Sequence, residues 1–220
     1  MKKHAYFTAK NIKSESNKFL TQIKPLRDKH NYQFTSKNSA LLIIDMQMLF
    51  LNHTAKSFIP SMPAIVANIK KLQTFYLQNN LLVLQTKHIN TDSNNRLMAK
   101  WWQSIIEHHN SESDIIPDLV DNNVSVLYKS QYDAFLYTDL DKQLKNHGVN
   151  QIVIAGVMAN LCCESTARSA FMRGFEVFFT IDGTAANNKN FHMASLLNLS
   201  YGFATPVLTT EILEWENVKQ

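Results

Sequence analysis

The sequence predicts an α/β fold, a single domain on a parallel six-stranded sheet with helices on both faces, a three-layer sandwich of Rossmann-like type. Three observations carry this. Six short apolar runs recur along the chain. Segments of helical period separate them, which is the βαβ rhythm of a parallel sheet. The runs are near-continuous in apolar residues rather than alternating, as strands covered on both faces are.

Taken in order, residues 1–38 are polar and rich in Lys and Asn, with one short helix over 15–23 stopped by Pro25. They form an N-terminal extension packed on a domain spanning 39–220. The first strand is ALLII (40–44). A helix over 63–78 follows, with an apolar stripe at Ile65, Ile69, Leu72 and Tyr76. LLVLQT (81–86) is the second strand, and a less regular segment covers 98–107. VSVLY (124–128) leads to a helix over 139–147 that Gly148 ends. QIVIAG (151–156) precedes the CCESTARSAF helix, closed by Gly174; FEVFFTI (175–181) precedes a helix over 190–199; PVLT (206–209) is the last strand.

A chain of 220 residues with 45% hydrophobic content can bury one sizeable core. Its longest apolar runs are far too short to cross a bilayer, and the start MKKHAYFTAK lacks the apolar stretch of a secretory signal. The expectation is a soluble, cytoplasmic protein without a membrane partner. The formal charge of +4 is spread along the chain, so nucleic acid is not an expected partner either. The only two cysteines, Cys162 and Cys163, are adjacent; on a helix they point about 100° apart and cannot staple distant segments. Both are read as thiols.

Parallel sheets bind ligands beyond the carboxyl ends of their strands, so the polar residues just past each apolar run are the candidates for chemistry. They are Asp45, His88, Lys129, Cys162 and Asp182. A thiol beside an acid and a cation is the composition of nucleophilic catalysis. Asn160 reads as an N-cap, which puts both cysteines in a first helical turn, where free N–H groups and the helix dipole favour a thiolate. By helical period Cys163, Ala167, Ala170 and Phe171 face the core, while Cys162, Thr166, Ser169 and Arg173 form a polar face. Cys162 is therefore the candidate nucleophile. Each residue also has an ordinary role: Asp45 and Asp182 as turn or cap residues, Lys129 as a solvated charge, His88 as a histidine hydrogen-bonded beside the sheet edge, Trp101 and Trp102 as core or lid.

The segments ALLIIDMQMLF, VLYKSQYDAF and IVIAGVMANLCCESTARSAFMRGFEVFFTIDGTAA resemble the three signatures of the isochorismatase-like hydrolases, in order, over about 38–213. The resemblance implies a catalytic triad of Asp45, Lys129 and Cys162, a non-proline cis peptide between Val157 and Met158, and an oxyanion hole from the Met158 and Cys162 amides. It is specific for the superfamily and open as to substrate. Cysteine amidohydrolases such as nicotinamidases carry a metal-binding Asp-x-His where this chain has Asn52-His53, so no metal and no cofactor are expected. Siderophore-pathway isochorismatases carry Gly or another non-nucleophile at the position of Cys162. The leading expectation is a small-molecule C–N hydrolase working through a thioester. Isochorismatase-type cleavage of a vinyl ether and a catalytically silent binding protein are the alternatives. Pocket specificity is assigned to Gln131, Tyr132, His88, Asn90, Trp101 and Trp102, and the resemblance implies a homo-oligomer, dimer or tetramer.

Overall fold

The apolar runs become strands β1 (Ser39–Ile44), β2 (Leu82–His88), β3 (Ser125–Lys129), β4 (Gln151–Val157), β5 (Glu176–Ala185) and β6 (Thr205–Val207). Helices are α1 (Ile12–Arg27), α2 (Met62–Gln78), α3 (Met98–Trp102), α4 (Leu140–Asn146), α5 (Glu164–Met172), α6 (Lys189–Gly202) and α7 (Thr209–Glu214). The structure is a computed structural model that describes residues 3–30, 33–108 and 110–214. The extension and domain spans read from the sequence run beyond these residues at both ends.

All strand pairs are parallel, in the order β3-β2-β1-β4-β5-β6. Every residue of β1 and of β4 is buried, as central strands must be, whereas edge strand β3 is exposed at three of its five positions. Pro206 sits in the other edge strand, β6, where a missing N–H leaves no ladder broken on the outer side. Crossovers from β1 to β2 and from β4 to β5 to β6 run in opposite directions along the sheet. Right-handed connections then put α2 on one face and α5 and α6 on the other. Helix α7 packs with α2, and α1 packs on α6. The α2 stripe Ile65, Ile69, Leu72 and Tyr76 is fully buried, each aliphatic member contributing about 1.5–3 kcal/mol. The Tyr76 hydroxyl is satisfied by Ser39 Oγ at 2.7 Å.

Three elements differ from the sequence reading. Helix α1 starts earlier and runs through Pro25 to Arg27, because Phe19 and Ile23 are fully buried and Arg27 pairs with Glu211 at 2.5 Å, which outweighs one missing helical bond. Strand β5 continues past Ile181 to Ala185, with a register shift against β4 between Ile154 and Gly156. Asp182 thus lies inside a strand, where its carboxylate accepts Thr209 N at 2.7 Å and Thr209 Oγ1 at 2.8 Å and so caps α7. Third, α5 begins at Glu164. Before it, Ala159–Cys163 form a π-helical turn entered from Met158. Asn160 is therefore no N-cap, and its buried Oδ1 has no partner.

Strand order reverses between β1 and β4, so the crevice for a ligand opens at their carboxyl ends. The two backbones come very close there. Gly156 pairs with Ile44 and adopts φ +117°, and a Cβ on it would lie 2.1 Å from the Ile44 carbonyl oxygen. Only glycine fits both demands.

Candidate active site

Asp45 leaves β1 in the left-handed region, φ 48°, a conformation Asp tolerates better than most residues. The turn carries its side chain over the sheet edge. Its N–H donates to Thr86 Oγ1 at 3.0 Å, and that hydroxyl donates back to Asp45 Oδ1 at 2.6 Å. Lys129, the last residue of β3, reaches across β2 to Asp45 Oδ2 at 2.7 Å, with both side chains fully buried. The same ammonium donates to Gln131 O at 3.0 Å and to His88 Nδ1 at 3.2 Å. The Cys162 sulfur lies within 4.8 Å of an Asp45 carboxylate oxygen and of a His88 ring nitrogen. The structure therefore brings Asp45, Lys129 and Cys162 close together.

Burial alone would raise the Asp45 carboxyl, but the Lys129 charge and the hydrogen bonds from Lys129 and Thr86 outweigh it and hold it below its ordinary range. The carboxylate is ionised at neutral pH. Burial likewise works against the Lys129 charge, and Asp45 and the Cys162 sulfur reverse that, raising its pKa. Cys162 goes the other way from the sequence expectation. Burial pushes its thiol up to about 12; Lys129 pulls it down and the Asp45 charge adds to the rise. The helix-terminus argument fails for a physical reason: Cys162 sits in the π turn, only 7% exposed, where the ammonium is already matched by Asp45.

His88 is at the centre of the group rather than beside it. Its Nδ1 accepts from Lys129, which fixes Nε2–H as the donor to Asn90 Oδ1 at 3.1 Å, and Asn90 Nδ2 donates on to Ser130 O at 2.9 Å. Burial, with Lys129 beside it, lowers His88 to about 4, so the ring is neutral. Among the described residues Asp45, His88 and Cys162 have potential metal-ligand atoms within 4.8 Å of one another, a cluster the sequence reading did not find. The group nonetheless does not fit a metal. The Lys129 ammonium already holds the cation's place, 2.7 Å from Asp45 Oδ2 and 3.2 Å from His88 Nδ1. His53 is exposed and packs on Phe58 with ring centroids 4.3 Å apart, and Asn52 donates to Glu112.

Above the group lies a cavity of about 520 Å³. His88, Asn90, Trp102, Tyr132 and Met158 line it, as the sequence suggested for pocket residues and the oxyanion pair. Trp102 Nε1 donates to Tyr132 Oη at 2.8 Å, which fixes two aromatic walls relative to each other. Two of the expected pocket residues are elsewhere. Trp101 is 77% exposed, because a one-residue step on α3 turns it from the cavity to solvent. Gln131 directs its amide to Asn94 O at 3.1 Å and serves the site through its carbonyl on Lys129. Of the face assigned to solvent, Thr166 and Ser169 are buried, with Thr166 Oγ1 accepting Ala134 N. On the face assigned to the core, Phe171 is 40% exposed and packs edge-on against Phe203. Cys163 is fully buried. The Val157–Met158 peptide is cis.

The sequence reading missed most of the apolar wall, Leu49, Phe50, Met98, Ile106 and Leu161, for which nothing local gave a signal. It also missed Asn187. The rule of looking just past a strand end would have found that residue had β5 been ended at Ala185 instead of Ile181.

A family model for the isochorismatase domain matches residues 39–211. Nicotinamidase 3 of Arabidopsis thaliana is 36% identical over 174 residues, 77% of this chain and 84% of that protein. Enterobactin synthase component B of Escherichia coli K12 is 30% identical over 85% of this chain, which spans 66% of that protein's length. A cysteine hydrolase from Pseudomonas syringae pv. phaseolicola superposes with a TM-score of 0.81 at 24% identity, covering 86% of this chain and 97% of its own. With the strand order, the sheet-edge crevice and the match over most of its length, the chain belongs to the isochorismatase family of hydrolases.

Proposed function

We propose that this protein is a cysteine amidohydrolase that cleaves the C–N bond of a small, uncharged carboxamide through a Cys162 thioester. The observation that carries the reading is the Cys162 sulfur held within 4.8 Å of a buried Asp45 carboxylate that Lys129, 2.7 Å away, keeps ionised. Because the free thiol holds its proton to about 12, the resting enzyme is not a thiolate. Proton transfer to Asp45 accompanies attack of sulfur on the carbonyl carbon. The Met158 and Cys162 amides take the oxyanion. Collapse breaks the C–N bond as Asp45 returns its proton to the leaving nitrogen, giving amine and thioester. Water, deprotonated by the same carboxylate, then attacks the thioester and frees the acid and the thiol.

The cavity favours an apolar or aromatic body on the substrate. Its walls are mainly Leu49, Phe50, Met98, Trp102, Ile106 and Leu161, and among its lining residues the one cation is the exposed Lys56. Isochorismate carries two carboxylates and would leave at least one without a partner there. Intact-protein mass spectrometry during turnover of a panel of aromatic and aliphatic amides tests the proposal, with isochorismate as the competing substrate. A thioester adduct absent from Cys162→Ser supports it. Isochorismate cleavage that survives Cys162→Ser and is abolished by Asp45→Asn would establish the vinyl-ether reading instead.

A further inference from the structure

The N-terminal segment is tied to the cavity wall by bonds that global packing alone does not require. Lys3 Nζ donates to the carbonyl oxygens of Lys56 and of Phe58, the latter at 2.8 Å. Tyr6 N and Phe7 N both donate to Ser61 Oγ, at 3.0 and 3.1 Å. On the other side His4 N donates to Asn187 O at 3.1 Å, and Ala186 N donates to the Tyr6 hydroxyl at 2.9 Å. That hydroxyl donates in turn to Nδ1 of the fully buried His192 at 2.8 Å. Ala55, Lys56, Ser57 and Asn187 line the cavity. The first three lie in a loop between β1 and α2 that no strand ladder supports; turn bonds such as Ala55 N to Asn52 O and Ser57 Oγ to Leu49 O shape it from within, and the bonds from Lys3 fix it from outside.

We propose that residues 3–7 are a positioning strap for the active site, with Lys3 setting the loop wall at 55–57 and the His4 amide setting Asn187. The extension thereby completes its own chain's cavity. Lys3 touches none of the reacting groups and acts through the two carbonyls it holds. The proposal rests on the reading of this cavity as the substrate site, and its test avoids turnover altogether. Cys162 at the cavity floor is alkylated at one fixed pH by iodoacetamide, which is too small to use the wall, and by N-benzyl iodoacetamide, whose ring must pack on it. Peptide mapping assigns the label.

The unaltered chain should prefer the benzyl reagent. In Lys3→Met, which keeps the aliphatic stem, the preference should fall about tenfold, the scale expected for a wall displaced by a fraction of an ångström to one ångström. The iodoacetamide rate and the melting temperature should stay put, and Lys3→Arg, which can still donate to both carbonyls, should restore the preference. An unchanged ratio in Lys3→Met, a parallel fall of both rates, or no preference in the unaltered chain would each overturn the strap. Failure of the amidase reading would look different, with no amide turned over while the alkylation preference and its dependence on Lys3 persist.

Discussion

Replacing Gly156 by alanine should damage stability and chemistry together, and the structure sets the scale. The added Cβ would sit 2.1 Å from Ile44 O, 2.7 Å from Ile44 N and 2.8 Å from Ile44 C. All three are backbone atoms of the neighbouring central strand, so no side chain can swing away. Relief requires β4 to move from β1 by about an ångström, since ordinary contact begins near 3.4 Å. Overpacking of this kind costs about 1–3 kcal/mol, and the φ of +117° adds about 1–3 kcal/mol of backbone strain for a residue with a side chain. A loss of about 2–6 kcal/mol is a large share of the roughly 5–15 kcal/mol of a typical domain. Gly148 is the internal control: its φ is +65°, but nothing lies within 4 Å of a Cβ there, so Gly148→Ala should lose only about 1 kcal/mol. Because Ile44 precedes Asp45 and Gly156 lies six residues before Cys162, the same shift separates the Asp45 carboxylate from the Cys162 thiol. Activity per folded molecule should fall about 100-fold in Gly156→Ala and hold in Gly148→Ala. Urea titrations of both variants, with turnover measured well below the midpoint, decide it. Equal stabilities for the two, or full activity in Gly156→Ala, would refute the close-approach argument.

Other outcomes follow from the site. Turnover should survive dialysis against EDTA, since the Lys129 ammonium occupies the centre of the potential ligand group; loss restored by zinc would show that this ammonium can be displaced. Alkylation of Cys162 should be slow at neutral pH and keep rising towards about 12, ahead of the fully buried Cys163, and a plateau below pH ~8 would contradict the burial-dominated thiol. His192 is neutral in the fold, its pKa pushed by burial down to about 3 from an unfolded value of about 6.5. Between those values the unfolded chain binds the extra proton, so stability is intact above about pH 6.5 and is lost as pH falls. The loss is on the order of 5 kcal/mol at about 1.4 kcal/mol per unit, and His192→Gln should flatten that part of a urea-midpoint profile. His88, lowered to about 4, leaves a residual slope of the same sign.

What the sequence made legible follows the physics it encodes locally. Central strands covered on both faces must be apolar runs and even the half-exposed β3 kept one, so all six were visible, and the strand-end rule then gathered Asp45, Lys129 and Cys162, which the fold brings close together. Quantities set by the surroundings were not legible. The length of β5 depends on its pairing with β4 through Gly156 and Thr184, a long-range contact, and misplacing its end hid Asn187, although the capping role read for Asp182 is the one it has, on α7. The protonation of Cys162 depends on how much water the finished fold removes, and helical position alone gave the wrong sign. That error bears on mechanism. A thiol buried between an ion pair whose charges cancel keeps its proton until a substrate carbonyl arrives to take the developing charge. In the proposed amidase mechanism the Asp45–Lys129 pair would be a base held ready for the moment of attack, and the nucleophile would be formed by the substrate rather than stored at the helix terminus.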